Sequence, residues 1–392
     1  SDLDNFDFAK RQMVHMLENI PQGEAKMPHS INGKGNTSCR SIYWWTSGFF
    51  PGILWYINEY TGDKTFESFA KKWTEKLEPV KTFKGNHDIG FMMYCSFGNA
   101  YRLTQNEKYK DILIQSAYSL ATRFNPQVGT IKSWDSWRSW ENKHVFKYPV
   151  IIDNMMNLEL LFWASKATGD PSFRNIAISH AEKTMKYQIR KDGSSYHLAC
   201  YDPETGNFIK GETSQGYSNE STWSRGQGWG IYGFTLCYRE TKDPRFLKTA
   251  QRMADYYINH PNLPSDKIPW WDFDTHRPGF IPGKFSKTNK YIQNYRDASA
   301  ASVTASALLE LSSYVKDDKK KIYTETALQI LTSLSSPEYR AEEGKNGNFI
   351  LKHSIGAIPH GSEVDVPLIY ADYYFLEALL RYNRMINNKP IL

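Results

Sequence analysis

One turn is written five times along this chain: NEYTGDKTFESFA at 58, YRLTQNEKYKDIL at 101, SKATGDPSFRNIA at 165, YRETKDPRFLKTA at 238 and SSYVKDDKKKIYT at 312. Each is a helix end, a short polar break and a new helix, and such internal repetition constrains the fold more than any single motif. The segments before the breaks, such as IIDNMMNLELLFWA and ASAASVTASALLEL, are apolar on almost every side. Those after the breaks mix apolar positions at helical spacing with Lys, Arg and Glu. All-round apolarity belongs to an inner helix and an amphipathic pattern to an outer one.

The pattern predicts twelve helices, starting near residues 4, 47, 64, 87, 107, 149, 171, 224, 244, 298, 319 and 366, with the even-numbered ones inside. Six helical hairpins that hide their apolar stripes against one another close into an (α/α)6 barrel, an all-α fold expected to fill residues 1–392 as one domain. Links from inner to outer helices are short. Five of the six links in the other direction run to tens of residues, beyond the usual bundle connection of about 2–8. Those long loops gather at the N-termini of the inner helices, where unpaired N–H groups and dipole ends favour polar and anionic ligands.

Composition limits the classes of function. With 40% apolar and 15% aromatic residues the chain can bury a large core, and its net charge of +6 is not gathered into a basic block, so nucleic acid is not expected as a partner. No run is long and apolar enough to span a bilayer, and SDLDNFDFAK at the start has no basic or apolar leader; if a signal peptide has been removed the protein would be periplasmic, and otherwise cytoplasmic. Cys39, Cys95, Cys200 and Cys237 are widely spaced, which predicts free thiols, mostly in the core. No His or Cys spacing suggests a metal, and no cofactor is expected.

The face with the long loops is unusually furnished. Trp44 and Trp45 precede the second helix, His87 and Asp88 the fourth, Asp153 stands at the sixth, Trp223, Arg225, Gln227 and Trp229 at the eighth, and Arg296 and Asp297 at the tenth. Its loops add Trp134, Trp137, Trp140, His197 and Gln215. Aromatic planes interleaved with Asp, Arg, His and Gln suit a sugar, which has apolar C–H faces and hydroxyl rims. Asp88 and Asp297 could equally be helix caps, worth about 1 kcal/mol each. Asp153 sits about a turn inside an apolar stretch, where an unpaired carboxylate is costly, and so reads as functional. Arg225, beside two tryptophans, reads as a carboxylate clamp, whereas Arg239 at the far end of that helix reads as remote from the site.

HDIGF at 87, IID-N at 151, SSYHLACYDPETGN at 194, STWSRGQGWGIYGF at 221, WDFD at 271, YRDASAAS at 295 and DYYFLEALLRY at 372 resemble, in order, the unsaturated glucuronyl hydrolases of glycoside hydrolase family 88. The resemblance implies an (α/α)6 barrel acting on lyase-generated oligosaccharides whose non-reducing end is a 4,5-unsaturated uronate. It implies that Asp153 protonates C4 and then, as carboxylate, assists attack of water at C5, giving a hemiketal that opens and expels the chain. It implies that Asp88 stays ionised and orients the ring hydroxyls, and that Trp45, Trp134, His197, Gln215, Trp223, Arg225 and Trp229 are further sugar contacts. The expected state is a monomer or weak homodimer. An unsaturated rhamnogalacturonyl hydrolase, a conventional inverting glycosidase and a non-catalytic sugar-binding barrel are the alternatives. Two departures stand out: LKHSIGAIPHGSEVDVP at 351 lacks the Ser-x-Ser-x-Lys pattern tied to sulfated sugars, and a basic stretch, RPGFIPGKFSKTNKYIQNYR, lies between WDFD and the tenth helix.

Overall fold

The repeated turn closes the same way four times, and its hydrogen bonds explain why it recurs. Thr61, Thr104, Thr168 and Thr241 each donate a hydroxyl to the carbonyl four residues back. Each also accepts from the backbone N–H of Asp63, Asn106, Asp170 or Asp243 two residues on. The residue between is left-handed, with φ 72° at Gly62, 58° at Gln105, 76° at Gly169 and 58° at Lys242. The Asp or Asn then caps the next helix by accepting from a backbone N–H of its first turn. The fifth break has no such threonine, and its helix starts at Asp317 with Lys316 at the N-cap and no side-chain capping bond.

A computed structural model describes residues 2–391. Twelve helices are found among these residues: α1 Asp2–Asn19, α2 Phe49–Thr61, α3 Lys64–Glu75, α4, α5 Glu107–Ala121, α6 Leu158–Thr168, α7 Pro171–Tyr187, α8 Ser224–Thr241, α9 Pro244–Asn259, α10 Ala298–Ser312, α11 Asp317–Leu334 and α12 Ile369–Ile386. Helix α4 runs from Ile89–Met93 through a π-turn at Tyr94–Gly98 into Asn99–Thr104. Carbonyls around its widened turn are taken up by Ser96 Oγ, which donates to Met92 O, and Asn99 Nδ2, which donates to Cys95 O. The even-numbered helices touch in a closed ring, α2 to α4 to α6 to α8 to α10 to α12 and back to α2, while the odd-numbered ones back them. Every residue of α10 is buried, but α9 buries only Phe246, Thr249, Ala250, Met253, Ala254 and Tyr257, one stripe at helical spacing. This is the all-α (α/α)6 barrel that the pattern predicts.

The sixth helix starts later than its sequence suggests. Pro149–Ile151 is a strand that pairs with Leu198–Tyr201, which in turn pairs with Phe208–Glu212, and a 3-10 turn at Ile152–Asn157 leads into α6. Proline followed by a β-branched run favours extended backbone, and a partner nearly fifty residues away completes it. The hairpins Lys26–Ile31 with Thr37–Ser41 and Ser354–Ala357 with Ser362–Val366 also lie in links from outer to inner helices. All the additional structure is therefore at the inner helices' N-terminal end. The four cysteines are free, with Cys95, Cys200 and Cys237 buried. No helix among the described residues is long and apolar enough to cross a membrane.

Candidate active site

Asp88 and Asp153 reach one cavity by separate routes that are tied together behind them. Asp88 occupies the N-cap position of α4, yet its side chain makes no capping bond. Its own N–H donates to Asn86 Oδ1, and His87 N–H donates to Ser133 O, so the approach to α4 is fixed. His87 is fully buried, with Nε2 3.1 Å from Asp88 Oδ1. Asp153 lies in the 3-10 turn, where Ile152 N–H donates to His197 O and Asn154 Nδ2 to Ile131 O. Asn157, at the end of the turn, accepts from Phe91 N–H at 2.8 Å and so joins the two carboxylate-bearing segments. Gly90 makes this possible, because a Cβ there would stand 2.4 Å from Asn157 Oδ1.

Behind Asp153 stands a histidine of defined tautomer. His197 is buried, its Nδ1 accepts from the N–H groups of Ser214 (3.0 Å) and Gln215 (3.2 Å), and its Nε2 lies 3.6 Å from Asp153 Oδ1. With Nδ1 occupied as an acceptor, the ring proton is on Nε2 and faces the carboxyl. Burial pushes the His197 pKa down, against the opposing influence of Asp153, so the ring is a neutral donor. Asp153 Oδ1 is itself buried without a hydrogen-bond partner.

The cavity, about 570 Å³, is lined by Asp88, Asp153, Trp45, Trp134 and Gln215, together with Arg40, Tyr43, Trp44, Asn86, Trp137, Ser214, His360, Glu363 and Tyr370. Trp45 is braced by Tyr370 and Phe91, with ring centroids at 4.8 and 5.5 Å, and Trp134 stands beside Trp137 and His197. Gln215 Nε2 donates to Gly356 O in the wall. Indole faces beside three carboxylates and an amide form a concave site for a polar ring with apolar faces. Among the described residues no three His, Cys, Asp or Glu side chains meet as a metal site would require.

Like His197, three more predicted contacts, Trp223, Arg225 and Trp229, lie behind the lining. Trp223 packs on His197 with centroids 4.5 Å apart, and Trp229 is enclosed by Phe91 and Tyr374. Arg225 corrects the clamp expectation. Its guanidinium is buried over the Trp223 ring, with Nη1 donating to Ile355 O and paired with Asp297, and Nη2 donating to Gly356 O. The hairpin Ser354–Val366 offers Arg225 two carbonyls, and each terminal nitrogen donates to one of them. Asp297 is a true cap, accepting from Ser299 N–H. The sequence reading missed Arg40, Tyr43, Asn86, Glu363 and Tyr370. Arg40, the one Lys or Arg of the lining, carries no motif signal in TSCRS, and Glu363 falls in the stretch that departs from the family pattern.

The barrel and its cavity of indoles and carboxylates define a carbohydrate-active enzyme of the (α/α)6 class. Residues 19–238 match the model for Glycosyl Hydrolase Family 88, and the chain belongs to that family. It is 45% identical over 343 residues to an unsaturated glucuronyl hydrolase of Formosa agariphila, covering 87% of this chain and 80% of that one. It is 34% identical to an unsaturated glucuronyl hydrolase of Bacillus sp. strain GL1 over 93% of both chains. A solved unsaturated glucuronyl hydrolase specific for heparin superposes with TM-score 0.89 at 45% identity, over 99% of this chain and 98% of that one.

Proposed function

We infer that the protein is an unsaturated glucuronyl hydrolase that removes a 4,5-unsaturated uronate from the non-reducing end of lyase-generated glycosaminoglycan oligosaccharides. One observation carries the reading: a buried carboxyl, Asp153, with an unpaired oxygen at the cavity wall and a neutral imidazole N–H facing it. A group in that position transfers a proton to a carbon bound in the cavity and is met by the His197 N–H as charge develops on it. Asp153 protonates C4 of the conjugated C4=C5 bond, and its carboxylate then accepts a proton from the water that adds at C5. The resulting hemiketal opens, the bond at C1 breaks and the remaining chain leaves. Asp88 accepts hydrogen bonds from ring hydroxyls, and Trp45 and Trp134 cover the sugar faces. Relatives support the substrate class: one is named an unsaturated chondroitin disaccharide hydrolase, from Streptococcus pyogenes at 33% identity, and one Asp-to-Asn mutant was solved with dGlcA-GalNAc6S bound.

The test follows the ultraviolet absorbance of the conjugated double bond. Unsaturated disaccharides from chondroitin, hyaluronan and heparin lyases should lose it on addition of the protein, while saturated uronides stay intact. Cleavage of a saturated glycoside at a similar rate would instead establish a conventional glycosidase.

A further inference from the structure

A fully buried carboxyl outside the cavity serves no step of the reaction. Asp272 accepts at Oδ2 from Tyr217 N–H (2.9 Å) and Ser221 Oγ (2.8 Å), and at Oδ1 from Asp274 N–H (2.8 Å). All three partners are uncharged donors. Burial and the neighbouring Asp274 push its pKa up to about 7, so ionising it is costly. An apolar side chain would avoid that cost but would leave buried donors unmet.

Those donors belong to a turn that reaches the active site. From Thr213 to Ser218, six consecutive N–H groups each donate to a side chain. Thr213 donates to Asn219 Oδ1, Ser214 and Gln215 to His197 Nδ1, Gly216 to Thr213 Oγ1, Tyr217 to Asp272 Oδ2 and Ser218 to Ser221 Oγ. Asn219, Thr213 and Ser221 are local to the turn, and a turn closed by side chains takes its shape from them. Asp272 is 55 residues beyond Tyr217, in a segment bridged to Trp223, and so anchors the turn from outside. Gly216 lies against the same oxygen, where a Cβ would stand 3.2 Å from Asp272 Oδ2 and 2.6 Å from Thr213 Oγ1.

We propose that Asp272 is a positioning residue for the proton donor: through the turn Thr213–Ser218 it aligns the two N–H groups that keep His197 a neutral Nε2–H donor facing Asp153. The kinetic consequence rests on the hydrolase reading above, whereas the state of the ring does not. With the turn released, Nδ1 loses both donors and is free to take a proton. A charged ring 3.6 Å from Asp153 favours the carboxylate, and the acid is then without its proton at neutral pH. The charged and titratable groups around the ring are Asp153, Arg225, His87 and His360, and those around Asp272 are Asp274 and Tyr256.

The experiment reads the imidazole nitrogens of His197 by NMR in protein labelled at histidine, with signals assigned by their loss in His197→Gln, and the pH profile of kcat with a lyase-derived unsaturated disaccharide. In the wild type at neutral pH, Nδ1 should be bare and Nε2 protonated. Asp272→Ala should place a proton on Nδ1, lower kcat about tenfold and move the alkaline limb of the profile down by about one pH unit. Asp272→Ser removes the same oxygen and leaves a smaller void, so one folded variant of the two suffices. Asp272→Asn, whose amide oxygen can still meet Tyr217 and Ser221, should restore the wild-type nitrogens. Unchanged nitrogens and an unmoved limb in a folded Asp272→Ala or Asp272→Ser protein would overturn the proposal, as would a wild-type ring protonated on Nδ1. If the nitrogens respond as expected but the wild-type protein leaves the double bond intact, it is the hydrolase reading that falls.

Discussion

His197 presents Nε2–H to Asp153 Oδ1 across 3.6 Å, while its other ring nitrogen is held by the N–H groups of Ser214 and Gln215. The contact is longer than a good hydrogen bond, so the pair is poised and not locked. Asp153→Asn removes the transferable proton and keeps the shape. It should lower kcat by about 10²- to 10⁴-fold while the unsaturated disaccharide still binds, measured by single-turnover kinetics and calorimetry. Substantial residual turnover would move the acid to another residue.

Asp88 differs in kind, because it stands at a helix start without capping it and lies 3.1 Å from Nε2 of buried His87. A hydrogen bond to a charged group contributes about 1.5–3 kcal/mol, so Asp88→Asn should lower kcat/KM by about ten- to a hundredfold. Loss confined to kcat, with binding intact, would contradict an orienting role. Thermal stability should change little, since no cap is removed.

What could be read from the chain divides along local and distant causes. The Thr-x-Asx turns at Thr61, Thr104, Thr168 and Thr241 are closed by neighbours within a few residues, so their repetition announces the barrel. The start of α6 could not be read that way, because Pro149–Ile151 becomes a strand only beside Leu198–Tyr201. In the site, Asp88, Asp153, Trp45, Trp134 and Gln215 line the cavity and His197 stands directly behind Asp153. Side-chain direction was the illegible part. Arg225 turns toward carbonyls supplied by a hairpin some 130 residues away. Arg239 does lie away from the cavity, but it is half-buried and paired with Glu159, Glu240 and Glu310, so it is part of the fold and not a neutral surface position.

Arg225 therefore gives a prediction about stability. Arg225→Ala removes the buried cation paired with Asp297 and one donor each from the carbonyls of Ile355 and Gly356, and breaking such a buried pair typically costs about 3–5 kcal/mol. Chemical denaturation should show that loss, and activity should fall because Gln215 shares the Gly356 carbonyl. Unchanged stability with a raised KM would restore the clamp role.

The last prediction concerns acid sensitivity. His180 is fully buried, accepts from Ile131 N–H through Nδ1, and has its pKa pushed down to about 3 by burial and by nearby His87. Its folded pKa lies below the unfolded value, so its contribution is intact above about pH 6.5 and drains away as the pH falls toward 3, because only the unfolded chain takes up the proton. One such group gives a slope of up to about 1.4 kcal/mol per pH unit within that window. Two buried carboxyls act in the opposite sense: burial raises Asp272 to about 7 and Asp372 to about 8, so their contributions are lost as the pH rises through those values. A single melting profile mixes these effects. The difference between wild type and His180→Asn isolates one, since Asn keeps an acceptor for Ile131 and cannot titrate. The variant should be less stable at pH 7.5 and should lose less on going to pH 4.5. Parallel profiles for the two proteins would show that His180 takes no part in acid unfolding.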